Sequence, residues 1–265
     1  MAPLKLGVLV PSSNTSLEPL TSTIVSQLSP SVSVHFARFA VTEISLSPAA
    51  LAAFDVDGAG SPILAAARLL ADAQVDVIGW SGTSGGWLGF EHDEALCAAI
   101  TAATGGIPAT TSTLALNRAL GILAAGTGAG TDAGTEAPRT FALVTPYRSD
   151  VQAAILANYA AAGYEIAAES HLGRTVNVEF AQIDEATLDG QVRDVVSRAR
   201  QQRGEGLLAV STFCTNLSAA QYAAKWEREH GVPVLDTVST VVWDMLRITG
   251  HGKGTITGWG SLFAL

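Results

Sequence analysis

Short apolar runs punctuate the chain, and each ends in a cluster of turn-forming residues. Leu4–Val10 runs into Pro11-Ser12-Ser13-Asn14, and Val75–Trp80 into Ser81-Gly82-Thr83-Ser84-Gly85-Gly86. Phe141–Val144 runs into Thr145-Pro146-Tyr147, and Leu207–Val210 into Ser211-Thr212-Phe213-Cys214-Thr215-Asn216. Each run is too short for a helix and is bounded by turn chemistry, so each reads as a buried parallel strand. Between them, a helical period predicts helices over Ile63–Ala73, Asp93–Ala103, Val151–Ala162, Leu188–Gln202 and Ala219–His230. Strands alternating with helices predict a doubly wound α/β architecture.

The four strand ends form two similar pairs. Pro11–Asn14 matches Pro146–Tyr147, and Gly82–Ser84 matches Cys214–Asn216. This predicts two pseudo-symmetric Rossmann-like halves, each a short parallel sheet flanked by helices. Ligands of such sheets bind beyond the carboxyl ends of the strands, so all four loops are expected around one cleft. That step brings Cys214 near Thr83.

One stretch breaks the pattern. Residues 121–138 are rich in small residues, with Gly-Thr-Gly-Ala-Gly-Thr-Asp-Ala-Gly at 126–134. A dinucleotide-binding loop must follow a strand and open a helix. This one follows a helix and precedes a strand, so it reads as a flexible surface insertion.

Composition narrows the function. The chain has 265 residues and a formal net charge of −9, with no Lys/Arg-rich block, which argues against nucleic-acid binding. Mean hydropathy is positive at +0.31, yet polar residues or glycine interrupt every apolar run well before the roughly 20 residues of a membrane span. No signal peptide is visible at the start. Two cysteines, Cys97 and Cys214, make no disulfide framework. A cytoplasmic protein is the expectation. The histidines at 35, 92, 171, 230 and 251 are scattered without metal-ligand spacing, so no metal is expected. No Gly-x-Ser-x-Gly elbow supports a serine hydrolase.

Cys214 stands at a strand end before a predicted helix, where N–H donors and a partial positive charge can tune a thiol or hold a carboxylate. Cys97, at helical spacing with Leu96 and Ile100, reads as core. Gly82, Thr83 and Ser84 offer two hydroxyls and a close-approaching backbone suited to an oxyanion, or simply a tight turn. Tyr147 can donate to an anion or be a half-exposed aromatic. Asn14 can bind a carboxylate or cap the next helix. Thr215 and Asn216 add donors.

The loops resemble a known group. Gly82-Thr83-Ser84, the run Thr110–Asn117, Asp184–Leu188, the Cys214 loop, Gly231–Val234 and Gly258–Phe263 resemble the arylmalonate decarboxylases over most of the chain. Gly7–Thr15 and Val144–Tyr147 are more similar to the maleate cis-trans isomerases. Both belong to the aspartate/glutamate racemase superfamily. The resemblance implies two halves, 1–113 with 231–265 and 114–230, and no cofactor. It implies Cys214 as the proton-handling residue, with Thr83, Ser84, Tyr147, Thr215, Asn14 and Gly82 around a carboxylate. Pro11, Trp87, Val176 and Asn216 are the expected pocket wall, although Trp87 and Val176 also read as ordinary core or surface. In the racemases and isomerases each half supplies a cysteine. Here Gly82 takes the first position, as in the decarboxylases.

One cysteine suits decarboxylation of a small substituted malonate with one-sided protonation. An isomerase or racemase that pairs Cys214 with a hydroxyl is the alternative, and a non-catalytic dicarboxylate-binding protein a third. The expected partner is a small carboxylate, and a homodimer is compatible with the sequence.

Overall fold

A computed structural model describes residues 3–55, 60–126, 139–204, 206–251 and 254–265. The first half holds β1 (Leu4–Pro11), α1 (Leu17–Ser26), β2 (Val32–Phe39), α2 (Pro48–Leu51) and α3 (Pro62–Asp72). It continues with β3 (Val77–Trp80), α4 (Gly85–Leu88), α5 (Phe90–Ala103) and β4 (Ala109–Thr111), and α6 (Ser112–Gly126) leads out of it. The second half runs through β5 (Arg139–Thr145), α7 (Ser149–Ala161), β6 (Tyr164–His171), α8 (Asn177–Phe180) and α9 (Glu185–Arg203). It ends with β7 (Val210–Thr212), α10 (Ala223–His230), β8 (Val234–Asp236) and α11 (Thr237–Ile248).

Each half is a parallel four-stranded sheet, in the orders β2-β1-β3-β4 and β6-β5-β7-β8. The two orders are the same under renumbering, which is the predicted pseudo-symmetry. Central β1 and β5 are buried on both faces, as strands covered by helices on each side must be. The strands missed by the periodicity are of two kinds. Edge strands β2 and β6 are only partly buried and mix polar with apolar positions. Strands β4 and β8 are three residues long, below the reach of a pattern.

Local chemistry sets the helix starts. Ser61 accepts from Leu64 N–H with Pro62 in the first turn, and Asp184 accepts from Thr187 N–H. The predicted helix Ala219–His230 starts later, at Ala223, after a 3-10 turn over Ala220–Tyr222. The helix Ser112–Gly126 absorbs the first part of the expected insertion; 127–138 lie outside the described residues.

The expected division needs correction at its second boundary. The sequence places 231–265 with the first half, but β8 pairs with β7 and completes the second sheet. Only the chain beyond Asp236 crosses over. There α11 lies so close to β3 that a Cβ on Gly79 would sit 2.7 Å from Met245 Sδ and 2.8 Å from Val241 Cγ2. Buried Asp244 fixes the crossing. It accepts from Thr110 Oγ1 at 2.6 Å and Arg247 Nε at 2.8 Å, and pairs with Arg118. A buried carboxylate with such partners is satisfied, and removing them would leave an unpaired charge.

Candidate active site

The carboxyl ends of β1, β3, β5 and β7 converge on one cavity. It is lined by Pro11, Gly82, Thr83, Ser84, Trp87, Tyr147, Cys214 and Thr215, together with Val41, Ile44, Phe54, Trp80 and Asn177. None of these residues is charged. The cavity encloses about 20 Å³, room for one water molecule. Residues 41–54 supply Val41, Ile44 and Phe54 as a strap. Val41 is bonded to Ser12 and Ser13, and Ile44 N–H reaches Thr175 O at 3.4 Å across the cleft.

Cys214 is buried two residues beyond β7. Burial pushes its thiol up to about 11, against the Tyr147 hydroxyl and the backbone N–H groups of Asn216 and Leu217, which favour the thiolate. These N–H groups belong to a turn. The helix expected directly after Cys214 begins only at Ala223, so its dipole does not act on the sulfur. Tyr147 is buried, and burial, with Cys214 beside it, holds its phenol well above the ordinary value. Its Oη lies 2.7 Å from Thr83 Oγ1. Thr83 and Tyr147 are thus hydrogen-bonded across the two halves, and Cys214 lies beside Tyr147, so the three side chains make a line from the first half to the second.

Ser84 Oγ accepts from Trp80 Nε1 at 3.1 Å, which leaves its own O–H to donate. Thr215 Oγ1 donates to Ser81 O at 3.1 Å and accepts from Asn14 Nδ2 at 3.3 Å, so its hydroxyl hydrogen is committed. The glycines of this loop approach the protein itself. A Cβ on Gly85 would lie 2.3 Å from Asp93 Cγ, and one on Gly86 2.6 Å from Phe213 Cε1.

Three expected site residues stand elsewhere. Asn14 does not line the cavity. Its Oδ1 accepts from Ser16 and Leu17 N–H at 3.0 and 2.9 Å, capping α1, because a short amide at a helix start meets those N–H groups first. Asn216 latches the halves together, accepting from Thr15 and Ser16 N–H at 2.9 and 3.2 Å and donating to Asn177 O. Val176 is exposed, its backbone bridged to Glu43; the next residue, Asn177, lines the cavity instead.

Sequence reasoning missed Trp80, Val41, Ile44, Phe54 and Asn177. Trp80 carried a signal, as the last residue of a strand whose end opens the cleft. The strap carried none. Asp93 was also missed. It is fully buried behind Gly85 and held by Thr111 Oγ1, and burial raises its carboxyl. Among the described residues no group of His, Cys, Asp or Glu is arranged to hold a metal, and no helix is long and apolar enough to cross a membrane.

Comparisons with known proteins agree with the resemblance read from the strand-end loops. A sequence profile described as arylmalonate decarboxylase matches residues 7–263. The arylmalonate decarboxylase of Bordetella bronchiseptica is 32% identical over 205 residues, covering 74% of this chain and 75% of its own. A mutant of the Nocardia farcinica maleate cis-trans isomerase, with a covalently bound succinylcysteine intermediate, superposes with a TM-score of 0.78. The identity there is 23%, over 99% of this chain and 98% of that one, and it shows a shared fold. A crystal structure of arylmalonate decarboxylase gives 0.71 at 25% identity, over 98% of each chain.

Proposed function

The chain belongs to the arylmalonate decarboxylase family, and from that premise we propose that it is a cofactor-independent lyase acting on a small substituted malonate. The observation that carries this is the mixed wall of the cavity. Thr83, Ser84, Tyr147 and Cys214 bring hydroxyls and a thiol to it, beside Thr215 and Asn177, while Pro11, Val41, Ile44, Phe54, Trp80 and Trp87 supply apolar surface.

A malonate dianion has two carboxylates, and such a cavity can solvate one. The first accepts from Thr83 and Ser84, with Tyr147 donating to Thr83. The second meets apolar side chains. Its C–C bond breaks, carbon dioxide leaves, and the electron pair flows into the retained carboxylate as an enediolate. Donors aimed at the developing charge are commonly the largest catalytic factor. Cys214 S–H then gives its proton to the α-carbon, leaving a thiolate. Tyr147 and the N–H groups of Asn216 and Leu217 hold that thiolate until water reprotonates it. The balance is one malonate dianion plus one proton to carbon dioxide plus one monocarboxylate. At about 20 Å³ the cavity is smaller than a malonate, so binding requires its walls to part.

The isomerase reading has one observation in its favour, the amide of Asn177 at the wall as a polar group for a second carboxylate. Its Nδ2 already donates to Ser13 Oγ at 2.8 Å. Proton NMR in deuterated water with phenylmalonate, methyl-phenylmalonate and maleate tests both readings. A singly deuterated monoacid, absent with Cys214→Ala, is the expected result. Conversion of maleate to fumarate without loss of any malonate replaces the lyase by the isomerase.

A further inference from the structure

We propose, resting on the lyase reading for the chemistry and on geometry alone for the sterics, that Trp80 is the specificity-determining residue that confines protonation to the Cys214 face. Gly82 lies two residues beyond β3, as Cys214 lies two beyond β7, in sheets of equivalent strand order. Position 82 is therefore where the first half would present an acid or base facing Cys214. A Cβ placed on Gly82 would lie 2.1 Å from Trp80 Cζ2 and 2.3 Å from Cε2. Side chains do not approach that closely, so any residue but glycine must displace the indole.

The indole is not free to give way. Its Nε1 donates to Ser84 Oγ at 3.1 Å, and its ring packs on Phe39 and Phe54 with centroids 5.1 and 5.9 Å apart. The residue is buried. Gly82 is not among the residues with positive φ, so the backbone there accepts any residue. The ring is the reason for glycine. An apolar ring with no proton to give thus fills the station opposite the thiol. The α-carbon is protonated from one side, and the product cannot be racemised by the reverse route.

The test is a set of variants: Gly82→Ala, Gly82→Cys, Trp80→Leu, and each Gly82 change combined with Trp80→Leu. Thermal midpoints read the sterics without reference to any reaction. Gly82→Ala should lower the midpoint by about 5 °C in the parent and barely at all beside Trp80→Leu, given the usual cost of overpacking. The chemistry is read with one enantiomer of 2-phenylpropionate in deuterated water. Racemisation needs Cys214 thiolate to take the α-proton while the introduced thiol delivers another to the opposite face. The expected result is racemisation by Trp80→Leu with Gly82→Cys at least ~100-fold faster than by Gly82→Cys alone, the size of effect a positioned acid or base supplies. Two outcomes overturn the proposal: Gly82→Cys alone with an unchanged midpoint and racemisation as fast as the double variant, or a folded double variant that racemises nothing. If the parent releases carbon dioxide from no malonate, the lyase reading falls, and the midpoints still decide whether Trp80 excludes a side chain from position 82.

Discussion

Beyond β3 the chain reads Ser81-Gly82-Thr83-Ser84; beyond β7 it reads Phe213-Cys214-Thr215-Asn216. The two loops leave equivalent strands and meet at one cavity, yet they are spent differently. The first keeps hydroxyls available, through Thr83 and Ser84, and carries no acid or base. The second supplies the thiol, and commits Thr215 and Asn216 to binding the first half. A duplicated fold gives two matching stations. On the proposed reading, one station holds charge and the other moves a proton.

If that division is correct, the largest loss comes from the proton-moving side. Cys214→Ala should lower malonate decarboxylation by ~10³-fold or more, the scale of a lost general acid. With the thiol pushed up to about 11, it stays protonated through neutral pH, so the rate should show no alkaline fall until near pH 11. A fall centred near pH 8 would mean that an ordinary thiol, or another group, is titrating. Next comes Tyr147→Phe, which removes the group shared by both loops. A loss of about 10²-fold in kcat is expected, as for one oxyanion donor. A rate equal to the parent's would remove Tyr147 from the line between Thr83 and Cys214.

Asn216→Ala tests the other use of the second loop. It leaves Thr15 N–H without its side-chain acceptor and Asn177 O without the Asn216 donor, while Ser16 N–H keeps Asn14 Oδ1. The loss should cost about 2–3 kcal/mol. Denaturant midpoints measure it. A small loss of stability with a large loss of rate would instead make Asn216 a ligand-binding residue.

What the sequence disclosed divides along the same line. The strand-end loops were legible because strand ends, glycines and hydroxyls are local patterns, and Cys214, Thr83 and Tyr147 do converge. Asn14 and Asn216 were legible as polar loop residues but not in their use. An amide pairs with whichever backbone group the fold brings closest, and that depends on the other half. The strap with Val41, Ile44 and Phe54 left no trace, since its burial comes from crossing to Thr175. Strand β8 falls in the wrong half on sequence alone because three residues carry no period.

The smallest effect tests the comparison one strand further along each sheet. Strand β4 ends at Thr111, whose Oγ1 accepts from Leu114 N–H at 3.1 Å and starts α6. Strand β8 ends at Asp236, whose Oδ1 accepts from Val238 and Ser239 N–H and starts α11, while Oδ2 accepts from Thr212 Oγ1 at 2.7 Å. The first half uses a neutral cap and the second an ionisable one. Burial raises the Asp236 carboxyl to about 6, above its unfolded value, despite those donors. The folded chain therefore binds a proton that the unfolded chain has lost. Stability from this group is complete below about pH 4, falls as pH rises, and is lost above about 6. Asn caps a helix as well as Asp does and does not titrate. Asp236→Asn should match the parent near pH 4 and exceed it by of order 2 kcal/mol near pH 8. Asp93, also raised by burial, contributes equally to both proteins and cancels in the difference. Parallel stability curves for parent and variant from pH 4 to 8 would mean that Asp236 stays ionised where it is buried, and that the two caps are electrostatically alike.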